Sequence, residues 1–223
     1  MRRALALAAG AAGVLGASRA LLRNAGSTLE ERWSPMPGDE ILPEARSSTM
    51  AVTIAAPPGD VWPWLVQMGC NRAGWYSWDR LDNAGVPSAD EIHAEWQSLE
   101  VGDRLPSAPS GTTWFDVVEV EHEVSLVLRA SVDVRRRRSF DPAGKRPRLS
   151  SEGTWSFLLK SQDGATRLLV RTRGGMHPRP VGVLADVLFW GPAHFVMERR
   201  QLRNLKRLAE RAPVVEREVV PAG

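Results

Sequence analysis

The chain has 223 residues, 43% of them apolar and 25% charged, with a formal net charge of +3. That length holds one full hydrophobic core, and that composition excludes both a disordered chain and a polytopic membrane protein. The single cysteine, Cys70, excludes an intramolecular disulfide and a cysteine-rich metal site; four scattered histidines without HxxxH or HExxH spacing give no reason to expect a metal or another cofactor.

The first 26 residues differ from the rest. Arg2 and Arg3 precede an uncharged Ala/Gly/Leu run from Ala4 to Ser18, and Arg19 and Arg23 follow it. The run is shorter than the roughly 20 residues that cross a bilayer. It resembles the charged start and short apolar centre of a signal peptide, with small residues at Ser18-Arg19-Ala20. Two expectations stand: a membrane-associated or exported N-terminus, or an amphipathic or disordered lead-in to a cytoplasmic domain. Residues 27–47, with three prolines and many charges, read as an extended linker laid over the domain.

The ordered domain is expected over 48–212. Met50, Val52 and Ile54 alternate as a strand with one buried face requires. PPGDVWPWLVQMG follows as a helix opened by Pro57-Pro58 and bent at Pro63, with Val61, Trp64 or Leu65, and Met68 as its apolar stripe. GWYSWDRLD, with Trp75, Tyr76 and Trp78 in four positions, reads as a second short helix; helical spacing puts Trp75 and Trp78 inward and Tyr76, Asp79 and Arg80 away. ADEIHAEWQSLEVGDRLP gives a short helix and then a strand. TTWFDVVEVE and EVSLVLRASVDV form one hairpin around His122, and GTWSFLLK and ATRLLVRTR another around Asp163-Gly164, a strong hairpin signal. The stretch from 135 to 148 holds seven basic residues against one aspartate and reads as a long exposed loop. Gly191-Pro192 starts a helix with Phe195, Glu198, Leu202, Leu205 and Ala209 on one face, and 213–223 remain as a tail. Strands in a run followed by one long helix point to an α+β fold with the helix across one sheet face.

TIAAPPGDVWPWLVQMG, GWYSWDRLDNAG, EIHAEWQSLEVGD and GPAHFVMERRQLRNLKRLAE, taken together, resemble bacterial proteins of the START-like, helix-grip (SRPBCC) superfamily, in a polyketide cyclase/dehydrase-like subgroup. The resemblance covers about residues 49 to 211. It implies a curved antiparallel sheet wrapped around the C-terminal helix, two short helices between the first and second strands, and a cavity between sheet and helix. Members bind lipids, sterols, polyketides or other apolar molecules, and a minority catalyse cyclisation or dehydration. No catalytic motif of that minority maps onto positions of this chain.

The candidate ligand residues are Trp75, Trp78, Trp114, Trp155, Phe157, Phe195 and Glu198. Trp155 and Phe157 share a predicted apolar face with Leu159, and Trp114 shares one with Val118 and Val120; these rings either fill the concave sheet or line a pocket in it. Glu198 is a carboxylate on an inward stripe, which demands a partner or a wet cavity; the alternatives are a ligand contact and a helix-edge ion pair with Arg199 or Arg203. His194, one turn earlier, pairs with Glu198 as a weak catalytic candidate for acid–base work. Arg129, Arg171 and Arg173 read as solvated sheet exterior. The 135–148 loop is either a plain soluble loop or, together with residues 1–26, a contact for anionic lipid headgroups. Nucleic acid is not an expected partner, since only Phe140 is interleaved with the basic run and no reading helix accompanies it. Three functions follow: a binder of an apolar or amphipathic small molecule, a cyclase or dehydratase of polyketide-like substrates, and a regulatory module whose cavity is filled by its own tryptophans.

Overall fold

A computed structural model describes residues 23–185 and 191–211. Most of the N-terminal apolar segment (1–22), residues 186–190 and the tail from 212 onward lie outside them. The chain runs through α1 (Leu29–Trp33), β1 (Arg46–Ile54), α2 (Pro58–Val66), α3 (Asp79–Asp82), a 3-10 turn at Ala94–Trp96, β2 (Arg104–Pro106), β3 (Trp114–Glu121), β4 (Ser125–Asp133), β5 (Arg138–Ser139), β6 (Ser150–Gln162), β7 (Ala165–His177), α4 (Arg179–Ala185) and α5 (Gly191–Ala209). The fold is α+β: a curved antiparallel sheet in the order β1-β7-β6-β4-β3-β2, with β5 paired to β4 and the long C-terminal helix laid across it. This is the helix-grip arrangement.

Both hairpins form where the turn chemistry places them. Asp163 and Gly164 take positive φ between β6 and β7, the conformation that an Asp-Gly turn supplies. The resulting register puts Phe157 opposite Val170 and Leu159 opposite Leu168 on the concave face, with Met50, Ile54, Leu126 and Leu128 beside them. These side chains make one core with Val61, Leu65 and Met68 of the α2 region and with Leu202, Leu205 and Leu208 of α5. Pro58 opens α2, and Pro63 lies inside it.

The convex face departs from expectation. Residues 24–45 form a strap across it, and the strap contains α1 with a complete capping box between Thr28 and Glu31. Three arginines at alternating positions of β7 hold it. Arg167 donates to both Glu31 carboxylate oxygens at 2.8 and 2.9 Å and to the Gly26 carbonyl. Arg171 donates to the Glu31, Arg32 and Ser34 carbonyls at the C-terminal end of α1, to Asp39 Oδ2 and to Thr49 Oγ1. Arg173 donates to Asp39 Oδ1 and the Pro43 carbonyl. Strand parity sets Arg171 and Arg173 on the exterior face of the sheet as expected, but Arg171 is only 2% exposed, because a guanidinium with five donors suits a strap that presents carbonyls. Arg129, half-buried on the same face, pairs with Glu152.

Candidate ligand-binding site

Helical spacing places His194, Glu198, Gln201, Leu205 and Leu208 on the face of α5 that meets the sheet. Glu198 is 3% exposed, and its Oε2 lies 3.0 Å from His194 Nε2. The same nitrogen lies 2.9 Å from Thr172 Oγ1 on β7. Only one proton placement on this nitrogen satisfies both contacts: with hydrogen on Nε2, the imidazole donates to the carboxylate and the hydroxyl as a forked bond, whereas a bare Nε2 would set two acceptors face to face at 3.0 Å. Arg199 and Arg203 are exposed on other faces of α5, so the ion-pair partner of Glu198 is His194.

Gln201, one turn further, donates through Nε2 to the Trp75 carbonyl at 3.0 Å and so ties α5 to the loop that follows α2. Asn204 does the same to the Tyr76 carbonyl, and Ser77 Oγ donates to the Met197 carbonyl. Glu198 Oε1, Gln201 Oε1 and Trp155 Nε1 are enclosed without a hydrogen-bond partner. Each such group costs about 1–3 kcal/mol when neutral, and more for a charged carboxylate.

The aromatic wall beside these groups is a continuous cluster. The Trp155 ring lies 5.0 Å from Phe157, 5.6 Å from Trp75 and 5.7 Å from Phe115, and Trp75 lies 5.4 Å from Phe115. Thr172 is the register partner of Trp155, so the His194–Glu198 pair and this wall are neighbours on the concave face. Beyond Trp155 the next row across the sheet runs Phe115, Ala130, Gly153, Gly174 and Arg46, so its three central positions carry no side chain larger than a methyl. The row of Phe157 and Val170 is completely covered, whereas Trp155, Thr172, Gly153 and Gly174 keep partial exposure, as do Phe115, His194 and Phe195. Among the described residues, the concave face is therefore fully covered at one end and partly exposed at the end where α5 begins.

Two expected members of the site lie elsewhere. Trp114 points to the convex side, where its Nε1 donates to Asp116 Oδ1 and the Arg104 guanidinium covers its ring at 4.6 Å. A β-bulge between Val117 and Glu119 reverses side-chain parity within β3, so Phe115 rather than Trp114 shares the inner face with Val120. Trp78 is 41% exposed and stacks under Arg200 at 4.0 Å. It lies outside α3 because residues 69–78 form a tight loop, closed by a Gly69–Gly74 bridge and by positive φ at Asn71, Gly74 and Tyr76. In that loop Trp75 is buried, its Nε1 reaching Cys70 Sγ at 3.4 Å. Tyr76 is buried too, against the expectation that it turns away. Its hydroxyl accepts from Gln67 Nε2 at 2.6 Å, and burial pushes its ionisation well above the usual tyrosine range. Asp79 ties the loop down by accepting from the backbone and hydroxyl of Ser88.

Phe195 packs partly buried at the edge of the core, with Arg199 beside its ring. In the 135–148 stretch Arg135, Arg136, Arg137, Arg138, Lys145, Arg146 and Arg148 are exposed, while Ser139 pairs with β4 as part of β5. Among the described residues, no three His, Cys, Asp or Glu side chains gather as a metal cluster, and no helix is long and apolar enough to cross a membrane. The hollows described are small: about 140 Å³ near Leu42, Arg146 and Met176, and about 130 Å³ between Tyr76, Ser88 and Arg200. Neither is bounded by the aromatic cluster and Glu198.

Thr172, Gln201 and Phe115 are absent from the sequence-derived set. The Asp163-Gly164 turn fixes the β6–β7 register, so Thr172 opposite Trp155 was deducible; Phe115 was not, because nothing in the local sequence marks the bulge.

Neither a protein-family model nor a curated protein matches the chain. Similar solved structures include a protein from Nitrosomonas europaea, at 17% identity and a TM-score of 0.44, covering 79% of this chain and 98% of that one. Another comes from Arthrobacter aurescens, at 14% identity and 0.43, with 79% and 93% covered. A third is DynU16, a protein in the dynemicin biosynthetic locus, at 18% identity and 0.41, with 72% and 47% covered.

Proposed function

We propose that the chain binds an apolar or amphipathic small molecule, of the lipid or polyketide-like class implied by the START-like resemblance, on the concave face where α5 begins. The observation that carries this reading is the junction of a partly exposed aromatic wall, Trp155 and Phe115, with polar atoms that the closed protein leaves unmatched, Glu198 Oε1 and Trp155 Nε1. Protein interiors match nearly all their buried polar atoms, and exceptions concentrate at functional sites. A ligand wedged between Trp155 and α5 lies over the bare centre of the next row, Ala130, Gly153 and Gly174, gains contact with the rings and offers those atoms a partner. Mostly apolar walls with a few placed polar groups are what small-molecule sites consist of.

Titration with anilinonaphthalene sulfonate, read by dye emission, tests this. Wild-type protein gives saturable one-site binding, Trp155→Ala weakens it about tenfold or more, and Leu81→Ser, at an exposed position away from the wall, leaves it unchanged. Equal binding by wild type and Trp155→Ala overturns the assignment.

A catalytic reading has one specific support, the 3.0 Å contact between a half-exposed imidazole and an enclosed carboxylate. In that reading His194 takes a proton from carbon next to a carbonyl of a polyketide-like substrate and Glu198 stabilises the imidazolium. Glu198→Gln then abolishes turnover while leaving affinity largely intact, and an unaltered rate excludes the role.

A further inference from the structure

The outer face of α1 carries two large apolar side chains that are mostly exposed. Leu29 is 69% exposed and Trp33 is 84% exposed, and their i, i+4 spacing sets them side by side. A lone exposed apolar residue is ordinary, but this pair is held rigidly. Arg171 caps the carbonyls of Glu31, Arg32 and Ser34, Arg167 grips Glu31, and Arg32 folds back onto Ser27 and the Asn24 carbonyl. Three buried or half-buried arginines, two from β7 and one from the strap, thus hold a tryptophan toward the outside.

What precedes α1 in the chain indicates the occupant of this face. Residues 4–18 are uncharged and rich in Ala, Gly and Leu, Arg2, Arg3 and Arg19 flank them, and no acidic residue occurs before Glu30. An apolar run bracketed by arginines partitions toward an anionic bilayer surface. Tryptophan is the side chain most at home at the boundary between headgroups and acyl chains. We propose that Leu29 and Trp33 are the folded domain's contact with a lipid bilayer, seated against the headgroup boundary beside the N-terminal segment. The contact fixes the orientation of the domain: α1 lies on the convex side, so the concave face looks away from the bilayer.

The test uses the full chain. Cys70 is buried, so Leu29→Cys provides a single accessible thiol for an environment-sensitive fluorophore, with Leu81→Cys as the control at a second exposed leucine. With vesicles of phosphatidylcholine and phosphatidylglycerol, the fluorophore at 29 shifts to the blue and that at 81 does not. In flotation, Leu29→Ser with Trp33→Ser lowers the bound fraction about tenfold, the effect expected for removing two interfacial apolar side chains. Vesicle binding with no shift at 29 means that the N-terminal segment alone holds the membrane, and overturns the proposal. A blue shift already present without vesicles assigns the face to the N-terminal segment, or to a second copy if the shift depends on protein concentration, and also overturns it.

Discussion

Replacing Arg171 with methionine removes the strap's main attachment while keeping an unbranched stem of similar length. Five donor contacts are lost: three to carbonyls at the end of α1 at 2.8, 3.0 and 3.1 Å, one to Asp39 at 2.6 Å and one to Thr49 at 2.9 Å. Hydrogen bonds from a charged donor contribute about 1.5–3 kcal/mol each, but they do not add. Asp39 keeps Arg173 at 2.7 Å, so no bare carboxylate remains. The three carbonyls recover water once the strap lifts, which limits the loss to the strap's own docking energy. Breaking a buried charged contact costs about 3–5 kcal/mol, and the lower figure applies here because the strap can detach by itself. A loss of about 3 kcal/mol speeds exchange of strap amides roughly a hundredfold. Hydrogen exchange resolved by peptide is the assay: Arg171→Met exposes peptides from 24–43, while β4, β6 and α5 stay protected. Strap protection within about threefold of wild type, a change under about 0.7 kcal/mol, refutes the view that Arg171 holds the strap.

Three further outcomes follow from the same structure. The hydrogen bond from Arg167 lowers the Glu31 carboxyl from 4.5 to about 2. Its contribution is therefore complete above 4.5 and is lost as pH falls from there toward 2, so the difference in urea midpoint between wild type and Glu31→Gln should shrink across that window; a constant difference contradicts the pairing. Gly38 sits at φ +84 with room for no Cβ, since one would fall 2.6 Å from Val127 Cγ1, so Gly38→Ala should lower stability by about 1–3 kcal/mol in denaturant titration. Burial raises the Cys70 thiol, which is inaccessible between Trp75 and the Asp82 carbonyl; a thiol reagent should label it only under unfolding conditions, and rapid native labelling would mean that the loop over it opens.

Much of the architecture was legible because it depends on local rules. Alternation gave β1, the Asp163-Gly164 pair gave the β6–β7 register, and the 3.6 period gave the inward face of α5 with Glu198 on it. What was not legible depends on interactions distant in sequence or on single backbone defects. The bulge in β3 turned Trp114 outward, although its alternation with Val118 and Val120 suited an inner face. Residues 69–78 have the composition of a helix start, yet two glycines bridging to each other and Tyr76 at positive φ make a loop. Arg171 is on an exterior face by parity and buried in fact, because the strap that covers it is more than 120 residues earlier in the chain.

Native mass spectrometry of the purified chain, before and after incubation with a total lipid extract, tests small-molecule binding on the concave face most directly. One noncovalent apolar adduct per chain is expected, released on denaturation and reduced in Trp155→Ala. The bare chain mass in every spectrum would contradict it and leave the aromatic cluster as a filled core.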